Sequence, residues 1–252
     1  MKETNIFIAY IAFIVFAEAV TSFVDPVYGF SLHSLILVSL LVLYSLKHGG
    51  NPSSKLYLSL SLAPLIRIIS LSMPLTIFPR YVGYIVVYIP VLVATVATMR
   101  VQGIGFKDAG ITFKRPVEQA VIALTGIPIG FVDYLILRPE PLAPGLSFWG
   151  LTFLALALLL STGLVEELVF RGIMQRYAVE ALGEKLGLIG VALVFTSLHI
   201  GWLSILDLAF IFCIGLFYGF STLRTGNIVG VSLSHGITNV VLFMVAPSIN
   251  LI

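Results

Sequence analysis

Charged residues are scarce in this sequence. Only 10% of the 252 residues are Asp, Glu, Lys or Arg, whereas 59% are apolar and the mean hydropathy is +1.08. A soluble domain carries about a quarter charged residues and needs polar side chains to cover its surface. The composition therefore excludes a soluble enzyme and a disordered protein. The net charge of only +2, with no basic tail, also argues against a nucleic-acid binder.

Cysteine is nearly absent as well, since Cys213 is the only one in the sequence. A single cysteine excludes an internal disulfide and a cysteine-based metal cluster. Cys213 lies within an apolar run, where a packing role is expected rather than a nucleophilic one. The sequence also contains neither a G-x-S-x-G nucleophile elbow nor an H-E-x-x-H zinc motif.

Long apolar runs, in contrast, occupy most of the chain. A membrane crossing needs roughly 20 apolar helical residues, and helices satisfy their own backbone hydrogen bonds in lipid. We therefore predict an all-α, polytopic transmembrane helical bundle with eight or nine spans, of which 30–46 and 186–199 are the weakest. The runs lie at 6–24, 30–46, 56–77, 82–99, 117–137, 148–165, 186–199, 203–223 and 228–246.

Lys and Arg residues are divided unequally between the two sides of this arrangement. With nine spans, eleven of them fall on one side and only Arg80 and Arg138 fall on the other. Cytoplasmic loops carry an excess of Lys and Arg, so the amino terminus is expected in the cytoplasm. The eleven residues are Lys2, Lys47, Lys55, Arg100, Lys107, Lys114, Arg115, Arg171, Arg176, Lys185 and Arg224.

Two breaks in the hydropathy pattern divide the chain. Residues 100–116 form the longest polar loop, and three prolines at 139, 141 and 144 stop helix formation. Every polar cluster that suggests chemistry lies after the second break. We therefore divide the chain into amino-terminal spans with the polar loop, residues 1–147, and a catalytic helical core, residues 148–252.

Two adjacent carboxylates, Glu166 and Glu167, end an uncharged run of 18 residues. Neighbouring residues on a helix point about 100° apart, so the two carboxylates face different surroundings. Glu167 is spaced to pair with Arg171 one turn later, which leaves Glu166 without a local cation. A helix that simply reaches the cytoplasmic surface would also account for this segment taken alone.

Two further polar clusters follow, at His199 and at the pair His235 and Asn239. A lone histidine in an apolar helix is usually a packing residue, and a polar pair one turn apart can simply join helices. Neither His235 nor Asn239 can face lipid without cost, so both are expected to point into the protein or a water-filled cavity. Helix packing explains one such cluster well and three clusters less well.

Together, Glu166, His199, His235 and Asn239 make a hydrolytic constellation. A carboxylate and an imidazole can share the removal of a proton from water, and a second imidazole and an amide can donate hydrogen bonds to an oxyanion. The glutamate and the two histidines could instead hold Zn²⁺ with one position open for water. The residue types leave both kinds of water activation open.

The three motifs resemble a known family when they are taken in order. Glu-Glu-x-x-x-Arg, Phe-x-x-x-His and His-x-x-x-Asn on successive membrane helices are similar to those of the CAAX protease and bacteriocin-processing (CPBP or ABI) family of intramembrane endopeptidases, which includes the Ras-converting CAAX prenyl protease. The resemblance implies that Glu166 and His199 activate water and that His235 and Asn239 stabilise the oxyanion. The supporting residues that it implies are Glu167 and Arg171.

The resemblance also implies a metal-independent mechanism, so no cofactor is expected. Zinc remains the alternative, and a metal would then be held by Glu166, His199 and His235. We assign four other charged residues in or beside apolar runs, Glu18, Arg67, Asp133 and Asp207, to structure or lipid contact. Among them, Arg67 could pair with Glu18 or a lipid phosphate, and Asp207 could orient His199.

We therefore predict an intramembrane endopeptidase that hydrolyses a peptide bond near the carboxy terminus of a membrane-associated substrate. A prenylated CAAX protein is one candidate substrate, and the active-site cavity is expected to open toward the cytoplasm. The alternative is a non-catalytic membrane scaffold of the same fold or a small transporter, since transporters also use intramembrane ionisable residues. The expected partners are a peptide or lipidated protein and membrane lipid, and not nucleic acid.

Overall fold

Helices make up all the regular structure that the computed structural model describes, which covers residues 3–47, 50–73 and 77–249. This confirms the predicted all-α class. Lys2 of the cationic set and residues 74–76 of the third apolar run lie outside the described residues. The α-helices are α1 (Glu3–Phe23), α2 (Pro26–Leu46), α3 (Pro52–Leu60), α4 (Leu62–Ser72), α5 (Arg80–Gln102), α6 (Pro116–Leu124), α7 (Gly126–Leu137), α8 (Phe148–Leu158), α9 (Gln175–Leu182), α10 (Glu184–Ser197), α11 (Ile205–Thr225), α12 (Val229–Val240) and α13 (Ala246–Ser248).

Several of these helices continue into one another. Two π-helical segments, Leu159–Glu166 and Leu168–Met174, connect α8 to α9 in one stretch of 35 residues. A third π-helical segment, Val241–Val245, connects α12 to α13, and the 3₁₀ turn Ile200–Trp202 follows α10. A π-helical turn is wider than an α-helical turn. Such turns are rare in proteins, but those that occur are often at functional sites.

Eight continuous helical stretches of the described residues are long and apolar enough to cross a membrane, so the chain is an integral multi-pass membrane protein. Helix α10 has only 14 residues, about 21 Å of helix against a hydrocarbon core of about 30 Å. It still runs alongside α1, because Gly190 lies beside Phe7 and Gly201 lies beside Ser22. The eight stretches are Glu3–Phe23, Pro26–Leu46, Pro52–Ser72, Val82–Gln102, Pro116–Leu137, Phe148–Leu182, Ile205–Thr225 and Val229–Ser248.

Helix boundaries follow from local capping chemistry. Asn51 accepts a backbone hydrogen bond at 2.8 Å at the start of α3, where Pro52 occupies the first position. Ser147 caps the start of α8 in the same way. Gly226 ends α11 in the left-handed conformation, at φ 64°, which a glycine adopts without a Cβ clash.

Most of the Lys and Arg residues lie at one end of the bundle, which we call the cationic end. It holds the start of α1 and the loops between α2 and α3, α5 and α6, α9 and α10, and α11 and α12. Lys47 pairs with Glu3 there, and the Gln102 amide donates to the Lys55 carbonyl at 2.9 Å. The opposite end holds the loops between α1 and α2, α7 and α8, and α10 and α11. There the Leu142 N–H donates to the Phe243 carbonyl at 3.0 Å.

Glycines allow α12 to approach its neighbours closely. A Cβ on Gly163 would lie 2.6 Å from the Ser232 carbonyl oxygen, and a Cβ on Gly236 would lie 2.7 Å from the Leu159 Cα. Small residues at such crossings let helix backbones come together in membranes. The contact places the middle of α12 directly against the first π-helical segment and so brings the third motif beside the first.

Candidate active site

The first motif lies where the two π-helical segments meet. Glu166 is the last residue of the first segment, and Glu167 separates it from the second. Glu167 is fully buried and Glu166 is 9% exposed. The two carboxylates therefore have different surroundings, as the helical geometry predicted.

Glu167 is the centre of a buried polar network. Its Oε1 accepts from Arg171 Nη1 at 3.0 Å, which confirms the predicted pair one turn apart, and it also contacts His235 Nδ1 at 2.8 Å. Arg171 Nη2 donates to the Gly215 carbonyl on α11 at 3.1 Å. Because an ionised carboxylate only accepts, the contact with Glu167 requires the proton of His235 to be on Nδ1.

The phenylalanine of the second motif packs against this network. The guanidinium carbon of Arg171 lies 4.4 Å from the centroid of the Phe195 ring, a cation–π distance. The same ring lies 4.9 Å from the His199 ring and 5.9 Å from the His235 ring. Phe195 thus contacts Arg171 and both imidazoles.

Glu166 contacts Tyr88 and His235. The Tyr88 hydroxyl donates to Glu166 Oε1, and His235 Nε2 lies 3.9 Å from Glu166 Oε2. His199 makes no direct hydrogen bond to Glu166 among the described residues, although both line the same cavity. Any proton exchange between Glu166 and His199 therefore requires a water or substrate group between them.

His199 is oriented by the backbone of its own helix. Its Nδ1 lies 3.0 Å from the Phe195 carbonyl oxygen. A carbonyl can only accept, so this bond places the proton on Nδ1 and leaves Nε2 with a lone pair. The suggestion that Asp207 orients His199 is wrong, because neither carboxylate oxygen of Asp207 has a hydrogen-bond partner among the described residues.

Asn239 is oriented by Thr162. The Thr162 hydroxyl donates to the Leu158 carbonyl at 2.8 Å, and its oxygen accepts from Asn239 Nδ2, also at 2.8 Å. Because the single Thr162 proton is already used, the Asn239 group that faces Thr162 must be the NH₂. The second hydrogen of this NH₂ is left for another acceptor.

One cavity of about 710 Å³ brings these residues together. Its lining includes all four residues that the sequence assigned to water activation and oxyanion binding: Glu166, His199, His235 and Asn239. Tyr88 also lines the cavity and was not predicted from the sequence. Its only signal was a pair of tyrosines, Tyr84 and Tyr88, one turn apart within an otherwise mostly aliphatic run.

The cavity residues as arranged do not fit a metal ion. No group of three or more His, Cys, Asp or Glu side chains among the described residues is placed so that it could hold one. The alternative zinc set of Glu166, His199 and His235 is not such a group. His235 Nδ1 contacts Glu167 and His199 Nδ1 contacts the Phe195 carbonyl, so Nε2 is the remaining nitrogen of each ring.

The cavity extends into the bundle from the opposite end. Pro139 and Leu142 of the loop between α7 and α8 line it, as does Trp202 after α10. The amino terminus and most Lys and Arg residues lie at the cationic end. Part of the cavity lining therefore comes from the end of the bundle away from the amino terminus.

A comparison with protein families matches residues 148–241 to the Rce1-like family of type II CAAX prenyl endopeptidases. The carboxy-terminal part of the chain is therefore similar to this CAAX protease family. The match contains the helices that carry all three motifs and leaves α1 to α7 outside it. Comparison with curated proteins gives no match, and comparison with solved structures gives none.

Tyr88 lies outside the region matched to the CAAX protease family, and its contact with Glu166 generates a prediction. Tyr88→Phe removes the hydroxyl that donates to Glu166 and keeps the ring. A hydrogen bond to a charged group contributes about 1.5–3 kcal/mol, so kcat/KM for peptide cleavage should fall about tenfold to a hundredfold. The measurement is the steady-state rate of the purified protein in detergent with a farnesylated CAAX peptide.

Tyr84→Phe is the matched control for this prediction. Tyr84 lies one turn earlier on α5 and lines the same cavity, but its hydroxyl makes no hydrogen bond to Glu166. It should keep the rate of the unchanged protein. Equal rates for the two variants would contradict a role of Tyr88 in holding Glu166.

Proposed function

We propose that the protein is a membrane-embedded endopeptidase that hydrolyses a peptide bond near the carboxy terminus of a membrane-associated substrate. The observation that carries the proposal is the convergence of Glu166, His199, His235 and Asn239 on one cavity. A prenylated CAAX terminus is the candidate substrate that the family description provides. The single chain of residues 148–241 supplies all four side chains.

In the proposed reaction, a water molecule between Glu166 and His199 attacks the carbonyl carbon of the peptide. His199 Nε2 carries a lone pair and can take the proton while the water oxygen bonds to carbon. Glu166 orients the water through its second oxygen, because Tyr88 occupies the first. The proton then passes to the leaving amine as the carbon–nitrogen bond breaks.

His235 and Asn239 are proposed to bind the oxyanion. With protons on both ring nitrogens, His235 donates through Nδ1 to Glu167 and directs Nε2–H toward Glu166 and the cavity. Asn239 offers the NH₂ hydrogen that Thr162 does not use. Such donors act in a water-poor site, where they stabilise developing charge more than they do in water.

Glu167 and Arg171 support the site without contacting substrate. Glu167 fixes the His235 tautomer, and Arg171 balances the charge of Glu167 inside the bundle. Removing one partner of a buried pair leaves an uncompensated charge, which typically costs about 3–5 kcal/mol. These two residues are therefore positioning residues in the proposed mechanism.

Glu166→Gln should abolish cleavage while the protein stays folded. The amide matches the carboxylate in shape but cannot orient the water as an anion does, and the orientation of a reactant can supply several kcal/mol of the barrier. The measurement is release of the last three residues from a farnesylated CAAX peptide, with a chelator present because the proposed reaction uses no metal.

The matched control for Glu166→Gln is Glu140→Gln, which changes another carboxylate of the cavity wall. It should cleave at the unchanged rate. Full turnover by a folded Glu166→Gln protein would remove the proposed site and favour the scaffold or transporter alternative. Activity that appears only when zinc is added would contradict the metal-independent mechanism.

The two histidines should respond differently to the same substitution. His199→Gln supplies no base and should be as inactive as His199→Ala. His235→Gln keeps a donor at similar reach and should retain more activity than His235→Ala, since loss of an oxyanion donor costs about 10²–10³ in rate. If His199→Gln were active and His235→Gln inactive, the two roles would be reversed. The test matters because His235 Nε2 lies 3.9 Å from Glu166 Oε2.

We propose that the cationic end faces the cytoplasm, as the distribution of Lys and Arg predicts. Glu140, in the loop between α7 and α8, then lies at the other side of the membrane. In a Cys213→Ser background, Glu140→Cys should react with a membrane-impermeant maleimide in intact cells, and Lys107→Cys should react only after permeabilisation. Both positions are exposed and lie at opposite ends of the bundle. The reverse pattern would contradict the proposed cytoplasmic location of the cationic end.

A further inference from the structure

A second buried charged cluster lies beside the active site and takes no part in the mechanism above. Arg67 of α4 makes a bidentate pair with Glu18 of α1, with Nε 2.8 Å from Oε1 and Nη2 2.7 Å from Oε2. His33 of α2 lies 3.4 Å from Glu18. Of the two partners that the sequence allowed for Arg67, Glu18 and a lipid phosphate, the structure has Glu18.

Arg67 is also joined to the active site through the backbone. Its Nη2 donates to the Leu198 carbonyl at 2.8 Å, at the end of α10 and immediately before His199. The guanidinium is thus held on two sides, by the Glu18 carboxylate and by the backbone of the second motif. Its position relative to His199 is fixed by α1, α4 and α10 together.

One part of the guanidinium remains available to the cavity. An arginine has five N–H donors, and those on Nε and Nη2 serve Glu18 and Leu198. Nη1 has no partner among the described residues, while the side chain is 20% exposed and lines the cavity. Arg67 therefore presents an NH₂ group to whatever occupies the cavity.

The charges of the cavity wall are unevenly distributed. Arg67 is the one Lys or Arg among the described residues that line it. Carboxyl groups line other parts of the wall, with Asp133 on α7, Asp207 on α11 and Glu140 in the loop after α7. An anionic group of a bound molecule is therefore attracted to the wall formed by α4, which holds the cation.

We propose that Arg67 Nη1 binds the terminal carboxylate of the substrate peptide. This inference rests on the proposed endopeptidase function, and it gives a physical reason for cleavage near a carboxy terminus. A carboxylate fixed at Arg67 limits how far the scissile bond can lie from it, since three extended residues span at most about 10 Å. Arg67 thereby acts as a specificity residue that measures the distance from the end of the chain.

Glu18 sets the expected strength of this contact. Glu18 already balances the charge of Arg67. A bound terminal carboxylate therefore gains a hydrogen bond from a charged donor, but not the attraction of an unpaired cation. A charge-assisted hydrogen bond of this kind corresponds to about tenfold or more in affinity. A substrate that ends in a carboxamide loses this contact and keeps all the others.

The test compares two fluorescently labelled, farnesylated CAAX peptides that differ only in ending in a carboxylate or a carboxamide. Their binding is measured in detergent on the Glu166→Gln protein, which removes turnover from the measurement. The carboxylate peptide should bind about tenfold more tightly. Equal affinities, including no binding of either peptide, would overturn the proposal without any substitution at Arg67.

Arg67→Gln, added to Glu166→Gln, should weaken binding of the carboxylate peptide alone and bring the two affinities together. Ser70→Ala, one turn further along α4 and also on the cavity wall, is the matched control and should keep the difference. If Arg67 only supported the fold, its loss would weaken the binding of both peptides equally, and that result would overturn the proposal.

The same peptides separate this proposal from the proposed function. In the protein with Glu166 intact, Arg67→Gln should raise KM for the carboxylate peptide about tenfold and leave KM for the carboxamide peptide unchanged. A tenfold difference in binding without cleavage of either peptide would uphold the carboxylate site and refute the endopeptidase. Cleavage of both peptides, with equal affinity for the two, would uphold the endopeptidase and refute the carboxylate site.

Discussion

The fully buried carboxylate of Glu167 is the constraint on which the rest of the site depends. A charge inside a membrane bundle persists only with partners, and Glu167 has two, Arg171 on its own helix and His235 on α12. Arg171 in turn bonds the Gly215 carbonyl of α11. One carboxylate thus connects three helices and determines which nitrogen of His235 carries a proton. The chemistry of the cavity and the packing of the bundle therefore both depend on Glu167.

Backbone packing makes that network geometrically possible. The π-helical turns widen the helix at Glu166 and Glu167, and the close approach of Gly163 and Gly236 to facing backbone brings α12 within hydrogen-bond distance. A side chain larger than hydrogen at either glycine would separate the two segments by more than the 2.8 Å bond from His235 to Glu167 can tolerate. The contacts of the motif residues therefore depend on the two glycines beside them.

Short-range spacing made part of this structure predictable from the sequence. The apolar runs predicted the helices, and the four-residue interval between Glu167 and Arg171 predicted their ion pair. Both predictions depend on local periodicity alone. The contact of Tyr88 with Glu166 joins residues 78 positions apart, and nothing in a single sequence specifies which long-range partners meet. The contribution of the loop between α7 and α8 to the cavity wall was not predicted for the same reason, since it depends on how the helices pack and not on where each begins.

The length of the helix that carries Glu166 has a consequence for the shape of a substrate. Phe148 and Trp149, both exposed aromatic residues at the start of α8, are of the kind that lie at the level of a membrane interface. Glu166 follows 18 residues later, about 27 Å along the helix. A folded domain that stays outside the membrane on that side needs an unstructured tether of about eight extended residues to bring a peptide bond to this depth. Substrates of the proposed endopeptidase that enter from this end would therefore be distinguished by the flexibility and length of their tails before any side chain is recognised.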